Sequence, residues 1–150
     1  MKKLKWLDKG IQDIIETFQY DFYVVNIDKR IDCSCKDFTT KQGDPKHKLC
    51  LGTGQKIKIR SIKGASQETN ASFRNDDASE KAKGMIYYIN TKYQISDYDL
   101  IVDENDVFIA HRVERKKGAN RDYVYQKCLC VNKKTDVQAF LKNFNEIVKR

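Results

Sequence analysis

Cysteine and histidine residues cluster in one short stretch of the chain. Cys33 and Cys35 come first, and His47 and Cys50 follow after eleven intervening residues. Three thiolates and one imidazole are a ligand set of structural Zn²⁺ sites, in which four protein ligands close a tetrahedron around the ion. We therefore predict that these four residues bind a structural Zn²⁺.

The predicted zinc-binding loop extends over residues 32–54. The pair Asp44-Pro45 favours a turn that would bring its two halves together. The alternative is that the cysteines are reduced, partly buried thiols and that His47 is a surface residue. A disulfide is disfavoured because the chain has five cysteines, an odd number, and we expect no secretory signal peptide. In a reducing compartment, clustered cysteines favour a metal.

A second C-x-C pair, Cys128 and Cys130, lies far along the chain. It either replaces one metal ligand or supplies small apolar residues to a strand.

The composition predicts one soluble domain over residues 1–150 with a positive surface. Hydrophobic residues make up 40% of the chain and charged residues 33%, and the net charge is +8. No apolar run approaches the roughly 18 residues of a membrane span, so no membrane partner is expected. The charge points to nucleic acid as a partner, although an AT-rich genome would give a similar composition. With 22 lysines and seven arginines, sequence-independent contact is favoured, because reading of guanine mostly uses arginine.

One basic surface is predicted on a strand. Lys56, Lys58 and Arg60 alternate with Ile57 and Ile59, and this period of two is typical of a half-buried strand. The basic face is either a solvated surface or a wall facing DNA phosphates.

A second basic surface is predicted at a hairpin tip over residues 115–121. Its candidate contacts to nucleic acid are Arg115, Lys116, Lys117 and Arg121.

The most polar stretch covers residues 64–84, where Phe73 is the only large apolar side chain. Such a segment buries too little surface to offset its ordering entropy. We expect a flexible arm, with Phe73 as a candidate contact to a partner; the alternative is an inert insertion.

Apolar periodicity predicts an α+β, mainly β fold. Residues at three- and four-residue steps predict a helix over 5–19 and another over 136–150. Between the helices, aromatic and β-branched runs predict successive strands joined by short turns. Such a meander would close into a small barrel or sandwich, with the Cys/His loop between two strands. The strands are predicted over residues 22–27, 55–63, 85–89, 100–102, 107–113 and 123–131.

Motifs of catalysis are missing from the sequence. It has no Gly-rich phosphate loop, no G-x-S-x-G and no H-E-x-x-H. If His47 binds metal, His111 is the one histidine left as a candidate general base, and it lies in a predicted strand. A closed zinc site also has no open position for a substrate. We expect no enzymatic activity; an enzyme would need an open metal site.

Two patterns carry a resemblance to a known family. The first is a helix, a strand and a cysteine cluster that ends in C-x-G-T-G at residues 50–54. The second is a spaced set in the second half of the chain: Tyr93, Ile95, Asp99, Ile101, Phe108, Ile109 and Val113. Together, over roughly residues 20–131, they resemble neck proteins of tailed bacteriophages, in particular head–tail connectors of the head-closure or stopper type.

The resemblance implies a structural virion protein that is assembled in the host cytoplasm and has no catalytic role. Copies would form a ring with one another, join portal or adaptor to tail proteins, and line or gate the channel for packaged DNA. Contact with DNA would be electrostatic and independent of sequence, through either predicted basic surface. The alternative is a nucleic-acid-binding module with a zinc knuckle on a β-barrel. Ring formation would favour the first, and DNA affinity of a monomer the second.

Overall fold

The structure is a computed structural model that describes residue 10 and residues 13–40, 42–44, 46–69, 84–117, 123–133 and 136–149. This part of the chain contains six strands and two short helices. Helix α1 covers residues 13–18. The other elements are β1 (Tyr20–Asp32), β2 (Gln55–Thr69), β3 (Gly84–Ile89), β4 (Leu100–Asp103), β5 (Asp106–Lys117), β6 (Tyr123–Asn132) and α2 (Val137–Val148). The predicted mainly β fold with a helix near each terminus is confirmed.

The strands form a closed antiparallel barrel in the order β1-β2-β3-β6-β5-β4, and β4 pairs again with β1. The barrel is therefore not a simple meander, because β3 pairs with β6 and not with β4. Residues 90–99 carry the chain from β3 to β4. A closed barrel leaves no unpaired strand edge.

Alternate residues of the strands face two different cores. Along β1, Phe22 and Val24 face the barrel interior, while Tyr23 and Val25 belong to an outer core beneath α2. The barrel interior consists of Phe22, Val24, Ile62, Tyr87, Ile89, Ile95, Ile101, Phe108, Ala110, Cys128 and Cys130. The buried residues of the outer core are Val25, Leu51, Leu100, Val102, Val107, Phe140 and Phe144.

Helix α2 covers one outer face of the barrel with an aromatic stripe. Phe140 stacks on Phe144 with ring centroids 6.1 Å apart, and the edge of Phe144 meets Tyr23 at 5.3 Å. Aromatic side chains bury large apolar areas, so this stripe fixes the position of the helix. The helix connects the outer core to the cysteine loop through Leu51.

The predicted flexible arm at residues 64–84 is wrong at both ends. Residues 64–69 continue β2 and pair with Gly84–Ile89 of β3. The ladder satisfies the backbone hydrogen-bonding groups, so exposed polar side chains such as Gln67 do not prevent strand formation. Phe73 and the rest of the predicted arm lie outside the described residues.

No helix in the described residues is both long and apolar enough to cross a membrane.

Candidate metal centre

The connection between β1 and β2, residues 33–54, brings the four predicted ligands together; it is called the metal loop below. The ligand atoms of Cys33, Cys35, His47 and Cys50 all lie within 4.8 Å of one another. The Sγ atoms of Cys33 and Cys50 are 3.3 and 3.4 Å from His47 Nδ1, and Cys35 Sγ is 3.3 Å from Cys50 Sγ. The predicted convergence is confirmed.

These separations fit a single tetrahedral ion. With metal–sulfur bonds of about 2.3 Å and metal–nitrogen bonds of about 2.0–2.1 Å, the edges of the tetrahedron would measure about 3.5–3.8 Å. The close pairs lie slightly below this range and the widest pair lies above it. The cluster can therefore bind a metal ion with small adjustments of its side chains.

Two glycines allow the metal loop to close on itself. The backbones of Gly43 and Gly54 approach so closely that a side chain on Gly43 would overlap the backbone of Gly54. Gly54 also has a positive φ of 74°, which favours glycine. Its carbonyl oxygen accepts a hydrogen bond from the N–H of Cys33 at 2.8 Å. The two ends of the loop are thereby held together beside the first ligand.

A tight turn presents the last ligand. The backbone N–H and side-chain Oγ1 of Thr53 both donate to the carbonyl oxygen of Cys50, at 3.0 and 2.7 Å. Leu51 adopts a positive φ of 50° inside this turn and is 3% exposed in the outer core. Packing of Leu51 offsets the cost of its left-handed backbone and anchors the turn to the barrel.

The thiols of the cluster differ in acidity. Burial raises the pKa of Cys50 to about 11, and its hydrogen bond with the Cys35 thiol adds to the rise. Backbone hydrogen bonds from Gly54 and Gly52 act in the opposite direction. A backbone hydrogen bond from Cys35 lowers the pKa of Cys33. Cys50 thus keeps its proton at neutral pH unless a cation is bound, and cation binding would release that proton.

Helix α2 supports the metal loop from outside, a role that sequence reasoning missed. Asn143 Nδ2 donates to the carbonyl oxygen of Lys46 at 3.2 Å, and Lys48 Nζ lies 2.7 Å from Glu146 Oε2. Asn143 is only 7% exposed, and buried polar groups need partners. The sequence does contain a signal for this role, because Asn143 lies between Leu141 and Phe144 of the predicted apolar stripe.

Cys128 and Cys130 do not join the metal ligands. Both are 0% exposed in the barrel interior, and Cys130 Sγ donates to the carbonyl oxygen of Cys128 at 3.6 Å. Within the described part of the chain, the one candidate metal cluster contains the four loop residues alone. Of the two roles left open by the sequence, the strand role is confirmed.

The basic face of β2 lines the end of the barrel. The predicted alternation is confirmed, since Ile57 and Ile59 pack against the outer core. Lys56, Lys58 and Arg60 lie on the other side of the strand and line a cavity of about 390 Å³. Ile62 lies on the same side of β2 as these three residues, but it belongs to the apolar barrel interior and not to the cavity. Along this side of β2 the barrel therefore changes from an apolar interior to a basic opening, which is called the barrel mouth below.

The described part of the predicted hairpin tip, residues 115–117, continues β5. Arg115, Lys116 and Lys117 belong to the strand, which runs four residues beyond Val113. Lys116 Nζ lies 2.9 Å from Glu114 Oε2, and Arg115 and Lys117 also have interaction partners. Arg121 lies outside the described residues. The described part of this basic surface is therefore partly neutralised.

The spaced pattern of the second half combines residues of the barrel interior with one outer-core residue, Ile109, and one buried carboxylate, Asp99. Ile95, Ile101 and Phe108 are at most 3% exposed. Asp99 is 2% exposed, and its carboxylate accepts hydrogen bonds from Asn26 Nδ2, from the N–H of Ile27 and from the N–H of Ser96, at 2.8, 3.0 and 2.9 Å. Asp99 thereby holds the β3–β4 connection against β1.

Neither a protein-family model nor a curated protein matches the chain.

Proposed function

We propose that this protein is a structural component of the neck of a tailed bacteriophage. Copies form a ring that joins portal or adaptor to tail proteins and lines or gates the channel for packaged DNA. The protein has no catalytic role and resides in the virion. The spaced pattern that resembles head-closure connectors supports this proposal, since five of its seven residues lie in or against the barrel interior.

The exposed apolar side chains near the metal centre carry the proposal. Phe38 and Leu49 are 93% and 74% exposed on the metal loop, and Ile31 is 45% exposed at the adjoining end of β1. Large apolar side chains in water favour association with another protein. The four clustered ligands would hold their backbone in place, so the surface is preorganised for a neighbouring subunit.

We further propose that the metal is Zn²⁺ in a structural role. Three thiolates and an imidazole match its preferred donors, and four protein ligands leave no open coordination position. Zn²⁺ would cross-link the two halves of the metal loop. Asn143 and Leu51 would fix the loop on the barrel from the other side.

The test of the neck proposal is assembly. Analytical ultracentrifugation and negative-stain electron microscopy of the purified chain, alone and with portal-bearing capsids, should detect a closed ring or its addition to the portal vertex. Phe38→Ser and Leu49→Ser should weaken assembly, and Lys142→Ser on the exposed face of α2 serves as the control. A chain that stays monomeric and binds neither portal nor tail parts contradicts the proposal.

A nucleic-acid-binding module is the second candidate, and the barrel mouth favours it. Lys58 is exposed and makes no hydrogen bond or ion pair with any residue that the structure describes, so its charge is available to a phosphate. This candidate predicts DNA binding by the monomer, with an affinity that falls steeply with salt. Ring formation with little DNA affinity in the monomer would exclude it.

A further inference from the structure

The cavity at the barrel mouth combines three parts of the chain. It has a volume of about 390 Å³ and is lined by residues of β1, β2 and the β3–β4 connection. Its charged lining residues are Arg30, Lys56, Lys58, Arg60, Asp28 and Asp99. Four cations therefore face two carboxylates, and the chemistry of the cavity depends on how many of these charges are already satisfied.

Both carboxylates are engaged by the protein. Asp99 accepts three hydrogen bonds, from Asn26, Ile27 and Ser96. Asp28 Oδ1 accepts from both the N–H and the Nε of Arg30, at 3.0 and 3.3 Å. The first of these bonds lowers the pKa of Asp28 most, so Asp28 stays ionised and holds Arg30 at the rim.

Arg60 is fixed but not saturated. Its Nε donates to Asn26 Oδ1 at 3.0 Å, and its Nη2 donates to the carbonyl oxygen of Gln94 at 2.6 Å. A guanidinium has five N–H groups, and the described residues accept hydrogen bonds from two of those on Arg60. Three N–H groups therefore remain for a ligand. The planar guanidinium suits the oxygens of a phosphate.

Lys58 completes the cationic side of the cavity. In the β1–β2 register Lys58 lies opposite Asn26, and Arg60 lies opposite Val24, so their side chains share one face two residues apart. Arg60 is held by neutral partners and Lys58 has no partner in the described chain. Neither charge is paired with a carboxylate.

We propose that this cavity is a phosphate-binding site in which Arg60 and Lys58 contact the phosphate oxygens and Lys56 adds to the positive potential. The volume exceeds that of one phosphate, so it also admits part of a nucleoside or the backbone of a strand. Two sources fit this chemistry: a small phosphate compound or a nucleic-acid backbone. The inference rests on the proposed function only if the bound phosphate belongs to packaged DNA.

The test is a titration of the full-length, metal-loaded chain followed by amide chemical shifts. Inorganic phosphate should shift the amides of β1, β2 and residues 94–99, and chloride at equal ionic strength should not. Lys58→Ala should weaken phosphate binding about tenfold, because it removes a charge-assisted hydrogen bond. Lys142→Ala removes the same charge from the exposed face of α2 and should leave the affinity within about twofold.

A second variant and a second ligand separate the remaining outcomes. Arg60→Lys keeps the charge and loses the fork of donors, so phosphate affinity should fall there too. If an oligothymidylate competes with phosphate and is weakened by Lys58→Ala but not by Lys142→Ala, the source is a nucleic-acid backbone. If only phosphate depends on Lys58, the source is a small compound and the site stands.

Identical affinities in wild type and Lys58→Ala, or equal shifts with chloride, would overturn the proposal. Ring assembly is measured separately: a chain that binds phosphate but never assembles contradicts the neck and not the cavity. A chain that assembles but ignores phosphate contradicts the cavity alone.

Discussion

The same C-x-C motif occurs twice in this chain, in two environments. Cys33 and Cys35 follow the end of β1, where the chain turns, and their thiols lie near His47. Cys128 and Cys130 lie within β6. In a strand, residues two apart face the same side, so both of these thiols enter the barrel interior.

The backbone therefore decides what the motif does. A strand separates its residues at i and i+2 by about 6–7 Å and brings no third ligand from its own sequence. The turn after β1 lets Cys33 and Cys35 meet two ligands that return on the other half of the metal loop. A motif at the end of a strand is suited to a metal, whereas one inside a strand is suited to packing.

The largest difference between the two C-x-C pairs should appear when a ligand of the metal centre is substituted. We expect native mass spectrometry to find one zinc ion per wild-type chain and none in Cys50→Ser. Structural zinc contributes about 10–16 kcal/mol of apparent binding energy in small zinc-finger peptides, so the metal loop of the variant should lose its order. Cys128→Ala is the matched control and should retain the ion. A metal-free wild-type protein purified without chelator would contradict the metal centre.

Alkylation of the metal-free, reduced protein should separate the pairs kinetically. Cys33 and Cys35 are partly exposed, whereas Cys128 and Cys130 are 0% exposed. Burial also raises the pKa of Cys128 to about 12, so little reactive thiolate exists at neutral pH. Peptide mapping after iodoacetamide treatment should find the first pair modified quickly and the second only at a rate set by global unfolding. Equal rates would mean that the barrel opens locally.

How much of the site the sequence reveals depends on the range of the interactions. The metal ligands lie within 18 residues, from Cys33 to Cys50, and their chemistry is specific, so spacing alone predicts the cluster. The support from Asn143 arises 97 residues from its partner Lys46. Only the packing of α2 on the barrel creates that contact, so the local pattern that marks Asn143 does not reveal its partner.

The strands show a similar limit. A period of two separates the faces of β2 but does not tell which face is inside the barrel. Ile57 and Ile59 face outward and pack against the outer core, and Lys58 lies on the side that leads into the interior. The pairing of β3 with β6 is likewise non-local. Composition also misplaces the start of the predicted arm, because backbone pairing stabilises residues 64–69 despite their polarity.

A smaller effect is expected at the buried pair. Cys128→Ala removes one buried sulfur from the barrel interior and should lower the free energy of unfolding by about 1 kcal/mol. Urea denaturation should show a lower midpoint with an unchanged slope. The zinc content should remain one ion per chain, because the pair lies outside the ligand cluster. Loss of zinc in this variant would mean that the two C-x-C pairs are coupled.

An effect of similar size tests whether α2 stabilises the metal loop. Asn143→Ala removes the hydrogen bond to the carbonyl oxygen of Lys46 at a cost of about 1 kcal/mol. If the closed loop retains the ion, this cost should speed transfer of zinc to a chelator by about fivefold. Asn145→Ala changes an exposed residue of the same helix and controls for helix propensity. Equal transfer rates in the two variants would mean that the loop holds its ion without the helix, and α2 would then serve the outer core alone.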